Sequence, residues 1–152
     1  EEVFRRPASP YIAEFLGAEN VLAGTVRMLD DRAPDWLDGE PSPIAHGYRA
    51  IEFSTGGLTL YTVGDFPAES GYAVIRAEEI TLSVAPPTGS ARNRFLGVVA
   101  DVATLGALTR VTVDVNGVPL VASLTTRSVN ELGLRVGTPV TASFKAMAVH
   151  LC

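Results

Sequence analysis

The chain has 152 residues, 47% of them apolar and 19% charged, a globular composition long enough to bury one sizeable core or two small ones. Its 17 acidic and 12 basic residues give a net charge of -5, which argues against a general nucleic-acid or membrane-surface binder, since both want a basic face. No apolar run approaches the ~20 residues of a membrane span, and the lone Cys152 has no internal disulfide partner, as in a reducing cytoplasm.

The opening, Glu1-Glu2-Val3-Phe4-Arg5-Arg6-Pro7, has no initiator Met and no signal-peptide pattern, and reads as a piece of a longer protein. Ser9 as N-cap and Pro10 at the first helical position predict a short helix. Tyr11, Ile12, Phe15 and Leu16 give it an apolar face, and Gly17 ends it.

After Asn20 the texture is β: Val, Thr and Leu runs broken by glycine. An internal repeat is visible. Gly24-Thr25-Val26 matches Gly97-Val98-Val99, each opening a strand. Tyr48 to Phe53 runs into Gly56-Gly57 and out through Leu58 to Tyr61. Thr109 to Val115 runs into Asn116-Gly117 and out through Val118 to Leu124, and Asn-Gly between alternating strands is the strongest short hairpin signal. Val74-Ile75-Arg76-Ala77 then matches Ser143-Phe144-Lys145-Ala146, each entering a closing strand. The fold expected is mainly β: two tandem five-stranded OB-like barrels, with a short N-terminal helix and a short helix in the second barrel. The expected division is a tail at 1–19, a first β half at 20–85, a linker at 86–89 and a second half at 90–152. The first half carries an extra loop near 29–47. The second carries the helix, about Ser128 to Leu134, where the first has only Gly64 to Gly71.

Three donor-rich segments carry the chemistry: Ser90-Ala91-Arg92-Asn93, Thr125-Thr126-Arg127-Ser128, and Lys145, the single lysine among eleven arginines. Hydroxyls, an amide and cations brought to one point suit a dianion rather than catalysis. A helix start adds unpaired N–H groups and a positive dipole end. The plainer reading is that Thr125, Thr126 and Ser128 only cap the helix, with Ser128-Val129-Asn130-Glu131 as a capping box. Asn93 fits a residue bonding its own loop backbone. Because the set holds no carboxylate to take a proton, it suits unprotonated oxyanions better than phosphate.

Ser90-Ala91-Arg92-Asn93 with Phe95-Leu96-Gly97, then Leu124 to Leu134, then Gly137 and Phe144-Lys145-Ala146, resembles the Mop domain of molybdate-binding proteins, over about residues 88–150. The resemblance implies an oxyanion held between subunits by Ser90, Arg92, Thr125, Ser128 and Lys145, with Asn93 and Thr126 as secondary candidates. Ala146-Met147 departs from the Ser or Pro common after that lysine. Residues 1–22 resemble the tail of ABC importer ATP-binding subunits, and Tyr72 to Ile80 resemble the closing strand of their TOBE domain. Together these imply the regulatory C-terminal domain of a molybdate, tungstate or sulfate importer ATPase. It would be a homodimer attached to its own nucleotide-binding domain, touching the membrane-spanning subunits indirectly at the inner face of the cell membrane. Bound molybdate or tungstate would feed back to inhibit transport. No Gly-x-x-x-x-Gly-Lys-Ser/Thr loop occurs, so neither ATP binding nor catalysis is expected of these residues. No nucleic-acid partner is expected. His46 and His150 lack metal-ligand spacing, and no metal site is expected. A ligand-free dimerisation module and a molybdate storage protein are the alternatives.

Overall fold

The structure is a computed structural model, which describes residues 20–29, 49–85 and 93–152. The helix expected near Tyr11, the 29–47 loop beyond Leu29 with its Trp36 and His46, the linker at 86–89, and the site candidates Ser90 and Arg92 lie outside the described residues.

Among the described residues ten strands form in chain order: β1 Asn20–Met28, β2 Arg49–Thr55, β3 Leu58–Gly64, β4 Ser70–Ile75, β5 Thr81–Ser83, β6 Asn93–Leu105, β7 Leu108–Val115, β8 Val118–Thr125, β9 Pro139–Phe144 and β10 His150–Leu151. Helix α1, Thr126–Leu132, follows β8, and 3-10 turns at Ala77–Glu79 and Ala146–Ala148 precede β5 and β10. The strands arise from period-2 alternation. In β3, Leu58, Leu60, Thr62 and Gly64 are buried; in β7, Thr109, Val111, Val113 and Val115 are. The hairpins close in two residues, with Thr55 opposite Leu58 and Val115 opposite Val118. Asn116 and Gly117 both take positive φ, 51° and 85°, as the tight hairpin turn demands.

The fold is mainly β, in the tandem OB-like arrangement expected, as two antiparallel five-stranded sheets of order β10-β4-β1-β2-β3 and β5-β9-β6-β7-β8. Each half, however, lends its last strand to the other. β5 pairs with β9 through Thr81–Ser143, and β10 pairs with β4 through His150–Val74. The 3-10 turns redirect the chain just before each crossing, and strands of three and two residues are too short to hold a separate edge. One core results: Phe53, Leu60 and Ile75 of the first half share it with Val111, Leu120 and Phe144 of the second.

Two asparagines fasten the halves symmetrically. Asn20, opposite Ile75 in β4, donates to Val121 O at 2.8 Å and accepts from Val121 N at 2.7 Å. Asn93, opposite Phe144 in β9, donates to Tyr61 O at 2.9 Å and accepts from Tyr61 N at 2.8 Å. Both amides are buried, at 3% and 1% exposure, so these bonds satisfy groups that water cannot reach. Four residues on, Gly24 and Gly97 let the neighbouring strand approach. A Cβ at Gly97 would lie 2.6 Å from Val113 Cγ1 and 2.7 Å from Asp114 O, and one at Gly24 would strike Ser54 O and Phe53.

Replacing Asn20 or Asn93 by Ala strands a backbone donor and acceptor in the core, and each change is expected to lower stability by about 2–4 kcal/mol. Urea unfolding monitored by circular dichroism should show one transition for both variants. Two separate transitions, one per half, would contradict the shared core.

Candidate functional site

Thr125 and Ser128 come together at the start of α1. Thr125 is the N-cap, in extended conformation (φ -68°, ψ 144°), and accepts from Ser128 N at 3.1 Å. The same hydroxyl donates to Ser128 Oγ at 2.8 Å. A hydroxyl has one proton, so that of Thr125 is committed, while that of Ser128 has no acceptor among the described residues. The helix therefore begins two residues before the expected Ser128, and the Ser128–Glu131 capping box does not form. Glu131 instead pairs with Arg127 at 3.0 Å across one exposed turn. Gly133 closes the helix at φ 67°.

Thr126 faces the other way. It donates to Gly106 O at 2.8 Å and lies 2.9 Å from the buried Thr109 hydroxyl, which is 3.2 Å from Thr104. Since the proton of Thr126 goes to Gly106, the chain of donation runs Thr104 to Thr109 to Thr126. Thr126 thus anchors α1 to the β6–β7 hairpin, and its N–H donates to Ala107 O at 2.8 Å. With the N–H of Ser128 also taken, Arg127 is the first-turn residue whose N–H has no acceptor among the described residues, so the helix start offers that group and the Ser128 hydroxyl as donors. Asn93 does not bond its own loop, as expected, but spans 32 residues to Tyr61. Both polar ends of its amide are engaged there.

Lys145 stands apart from the hydroxyl pair. Residues 93–98 of β6 pair with β9, and residues 98–105 pair with β7. Lys145 follows Phe144, which is opposite Asn93 at the start of β6. Thr125 is opposite Leu108, which is opposite Leu105 at the end of β6. The two donor groups therefore sit at opposite ends of a 13-residue strand, about 40 Å apart along its contour. A bulge between Val99 and Asp101 bends that strand midway. Lys145 is exposed and makes no ion pair among the described residues. Its carbonyl accepts from Ala148 N at 3.0 Å, closing the 3-10 turn.

The repeat places Arg76 where the second half has Lys145, one residue after the partner of the buried asparagine. Arg76 lies 3.6 Å from Glu78. Residues missed by the sequence reading are Asn20, Thr62 and Thr109. Their signal was a polar side chain at a core-facing position of an alternating strand, or, for Asn20, its place four residues before the repeated glycine. Burial pushes the Cys152 thiol above its usual range, which keeps it protonated and a poor nucleophile. Among the described residues no group of three His, Cys, Asp or Glu side chains could hold a metal, and no helix is long and apolar enough to cross a membrane.

Comparison with known proteins agrees with the fold. The TOBE domain family matches residues 89–151. The chain is 33% identical over 157 residues to the molybdate/tungstate import ATP-binding protein WtpC of Pyrococcus horikoshii, covering 99% of this chain and 37% of that protein. WtpC of Pyrococcus abyssi is 32% identical over 151 residues, with the same two shares, 99% and 37%. The chain thus spans little more than a third of the length of these relatives. The structure of the cytoplasmic molybdate-binding protein ModG with molybdate bound superposes with a TM-score of 0.70 at 26% identity, covering 88% of this chain and 95% of that one. Residues 89–151 thus match the TOBE domain family, and the chain is homologous along 99% of its own length to the molybdate/tungstate import ATP-binding proteins.

The hydrogen bonds separate a structural donor from an exposed one. Thr125→Ala removes an N-cap and is expected to lower stability by about 1 kcal/mol. Lys145→Ala, at an exposed side chain with no ion pair among the described residues, should change it by less than about 0.5 kcal/mol. Chemical denaturation without added anion checks both; an equal loss in the two variants would make Lys145 a structural residue.

Proposed function

We propose that this chain is the regulatory portion of an import ATPase subunit and binds molybdate or tungstate between two copies of itself. One copy supplies Ser90, Arg92 and Lys145; the other supplies Thr125 and Ser128. The observation that carries this reading is the placement of Lys145 and the Thr125–Ser128 pair at opposite ends of β6. One chain offers each half-site at a different end, and a second copy completes them. Arg92 directly precedes Asn93 in sequence, and Phe144, the strand partner of Asn93, directly precedes Lys145, which supports assigning both cations to one half-site.

The chemistry matches the ligand. Lys and Arg give charge-assisted bonds to a tetrahedral dianion, and Ser128 has a proton to give. No carboxylate belongs to the set, which disfavours a protonated phosphate. Support for a second copy comes from exposed apolar side chains on the second half. Leu96 is 81% exposed and Val98, on the same face of β6, 46%; Val136 beyond β9 is 66% exposed.

Regulation follows from linkage. An anion shared by two chains binds the associated arrangement better and shifts the population toward it. In the full subunit, held by its nucleotide-binding domain at the cytoplasmic side of the importer, that shift would hold the ATPase in a non-transporting arrangement when the anion is plentiful. The homology to import ATP-binding proteins favours this over free storage.

A thermal melt with molybdate, tungstate, sulfate and phosphate tests the ligand. At a hundredfold excess over Kd the stabilisation should reach about 2.7 kcal/mol, with molybdate or tungstate giving the larger shift and Lys145→Ala abolishing it. Calorimetry should find one anion per chain. No shift with any anion, in a folded dimer, would leave a structural dimerisation module, and large closed assemblies would favour storage.

The sharing of the site predicts that molybdate tightens self-association, measured by sedimentation at varied protein concentration. Undiminished anion affinity in a monomeric variant would contradict it.

A further inference from the structure

The cation end of the site is built on the first half, although the site residues themselves belong to the second. Thr62, in the middle of β3, is 1% exposed and points its hydroxyl at the turn that follows Lys145. Its Oγ lies 2.9 Å from Ala146 O and 2.7 Å from Val149 O, carbonyls more than eighty residues away in sequence. Those two carbonyls bracket the 3-10 turn Ala146–Ala148, whose N-cap is Lys145. One residue earlier in β3, the Tyr61 backbone holds Asn93, the residue that follows Arg92. Two adjacent residues of the first half thus grip both strands that lead to the cations.

Burial alone does not explain a threonine there. Leu58 and Leu60 occupy the preceding core-facing positions of β3, and Val113 and Leu120 fill the same core from the second half. In the repeat the register of the hairpins places Ala122 of β8 where β3 has Thr62. The equivalent turn at Ala77–Glu79, which follows Arg76, therefore meets a side chain without a hydroxyl. The hydroxyl occurs on the strand facing the Lys145 turn and not on its repeat counterpart.

We propose that Thr62 is a positioning residue for oxyanion binding, fixing the turn that carries Lys145 from the opposite half of the molecule. This rests on the oxyanion reading given above. A single proton shared between two carbonyls locks the turn at both ends without touching the ligand. It holds the backbone that carries Lys145 in place before the anion arrives, so less turn ordering accompanies binding. It also gives the first half, which carries no donor set of its own, a direct part in the affinity of the second.

The test is calorimetric titration of the full chain with sodium molybdate and with sodium tungstate, comparing Thr62→Val, Thr62→Ser and a core control, Val111→Ala. Thr62→Val keeps the shape and removes the proton. It is expected to weaken binding by on the order of tenfold, the scale on which lost orienting partners weaken ligand sites. Thr62→Ser restores the proton and should bind as the unsubstituted chain does. Val111→Ala should lower the melting temperature with its Kd unchanged. Undiminished affinity in Thr62→Val, or equal weakening in Thr62→Val and Val111→Ala, would overturn the positioning role. No binding by the unsubstituted chain would instead overturn the oxyanion reading, and the role with it. Should Thr62→Val not fold, amide exchange in the unsubstituted chain decides. Ala148 and Val149, whose N–H groups close the turn, should already exchange slowly without anion, and exchange there as fast as in an open loop would overturn the proposal.

Discussion

The exchange of closing strands is the constraint from which the rest of this molecule follows. Because β5 lies in the second sheet and β10 in the first, neither half can complete a barrel alone. The exchange brings the 3-10 turn of each half against the long outer strand of the other. It also exposes the backbones of Tyr61 and Val121, at the free edges of the two sheets, to a partner from the opposite half. A buried asparagine amide fills that place each time, donating and accepting as a neighbouring strand residue would. Edge strands left bare invite pairing with other chains, and the asparagines remove that opportunity at the centre of each edge.

Much of this was legible in the sequence, and for identifiable reasons. Alternation in Leu58 to Gly64 and Leu108 to Val115, with Asn116-Gly117 between partners, fixes two hairpins locally, because side-chain period and turn chemistry agree. The repeat was visible because equivalent strands need the same small residues at the same close approaches, as at Gly24 and Gly97. The strand exchange was not visible. Thr81–Ser83 and His150–Leu151 are too short to carry a pattern that names a partner sheet. The roles of Asn93 and Thr62 were hidden for a related reason. A polar residue in a strand states that it needs a partner but not which one, and the partners here lie 32 and 84 or more residues away.

The helix start shows how neighbouring hydroxyls divide between structure and availability. Thr125 and Thr126 are adjacent and chemically alike, yet Thr126 is consumed by Gly106 and Thr109 while Thr125 passes its proton to Ser128. Proton counting distinguishes them where composition cannot. A hydroxyl whose single proton is already given can only accept, and an anion needs donors. Ser128, at the end of the shorter chain of donation, is the one left able to give.

The two halves share a fold but not an electrostatic environment, and the difference lies at the ends of the same strands. In sequence the first half has one base, Arg76, and three acids at these positions: Glu19 directly before Asn20, and Glu78 and Glu79 within the turn. The corresponding second-half positions hold two bases, Arg92 and Lys145, and the turn itself carries no acid. The formal charges are therefore 1 - 3 = -2 and +2. Equivalent positions of the repeat thus carry formal charge of opposite sign. The two halves repeat one frame, and the exchanged strands make each half part of the other's packing. The acid-rich half contributes the Thr62 hydroxyl and the Tyr61 backbone to the packing of the other half.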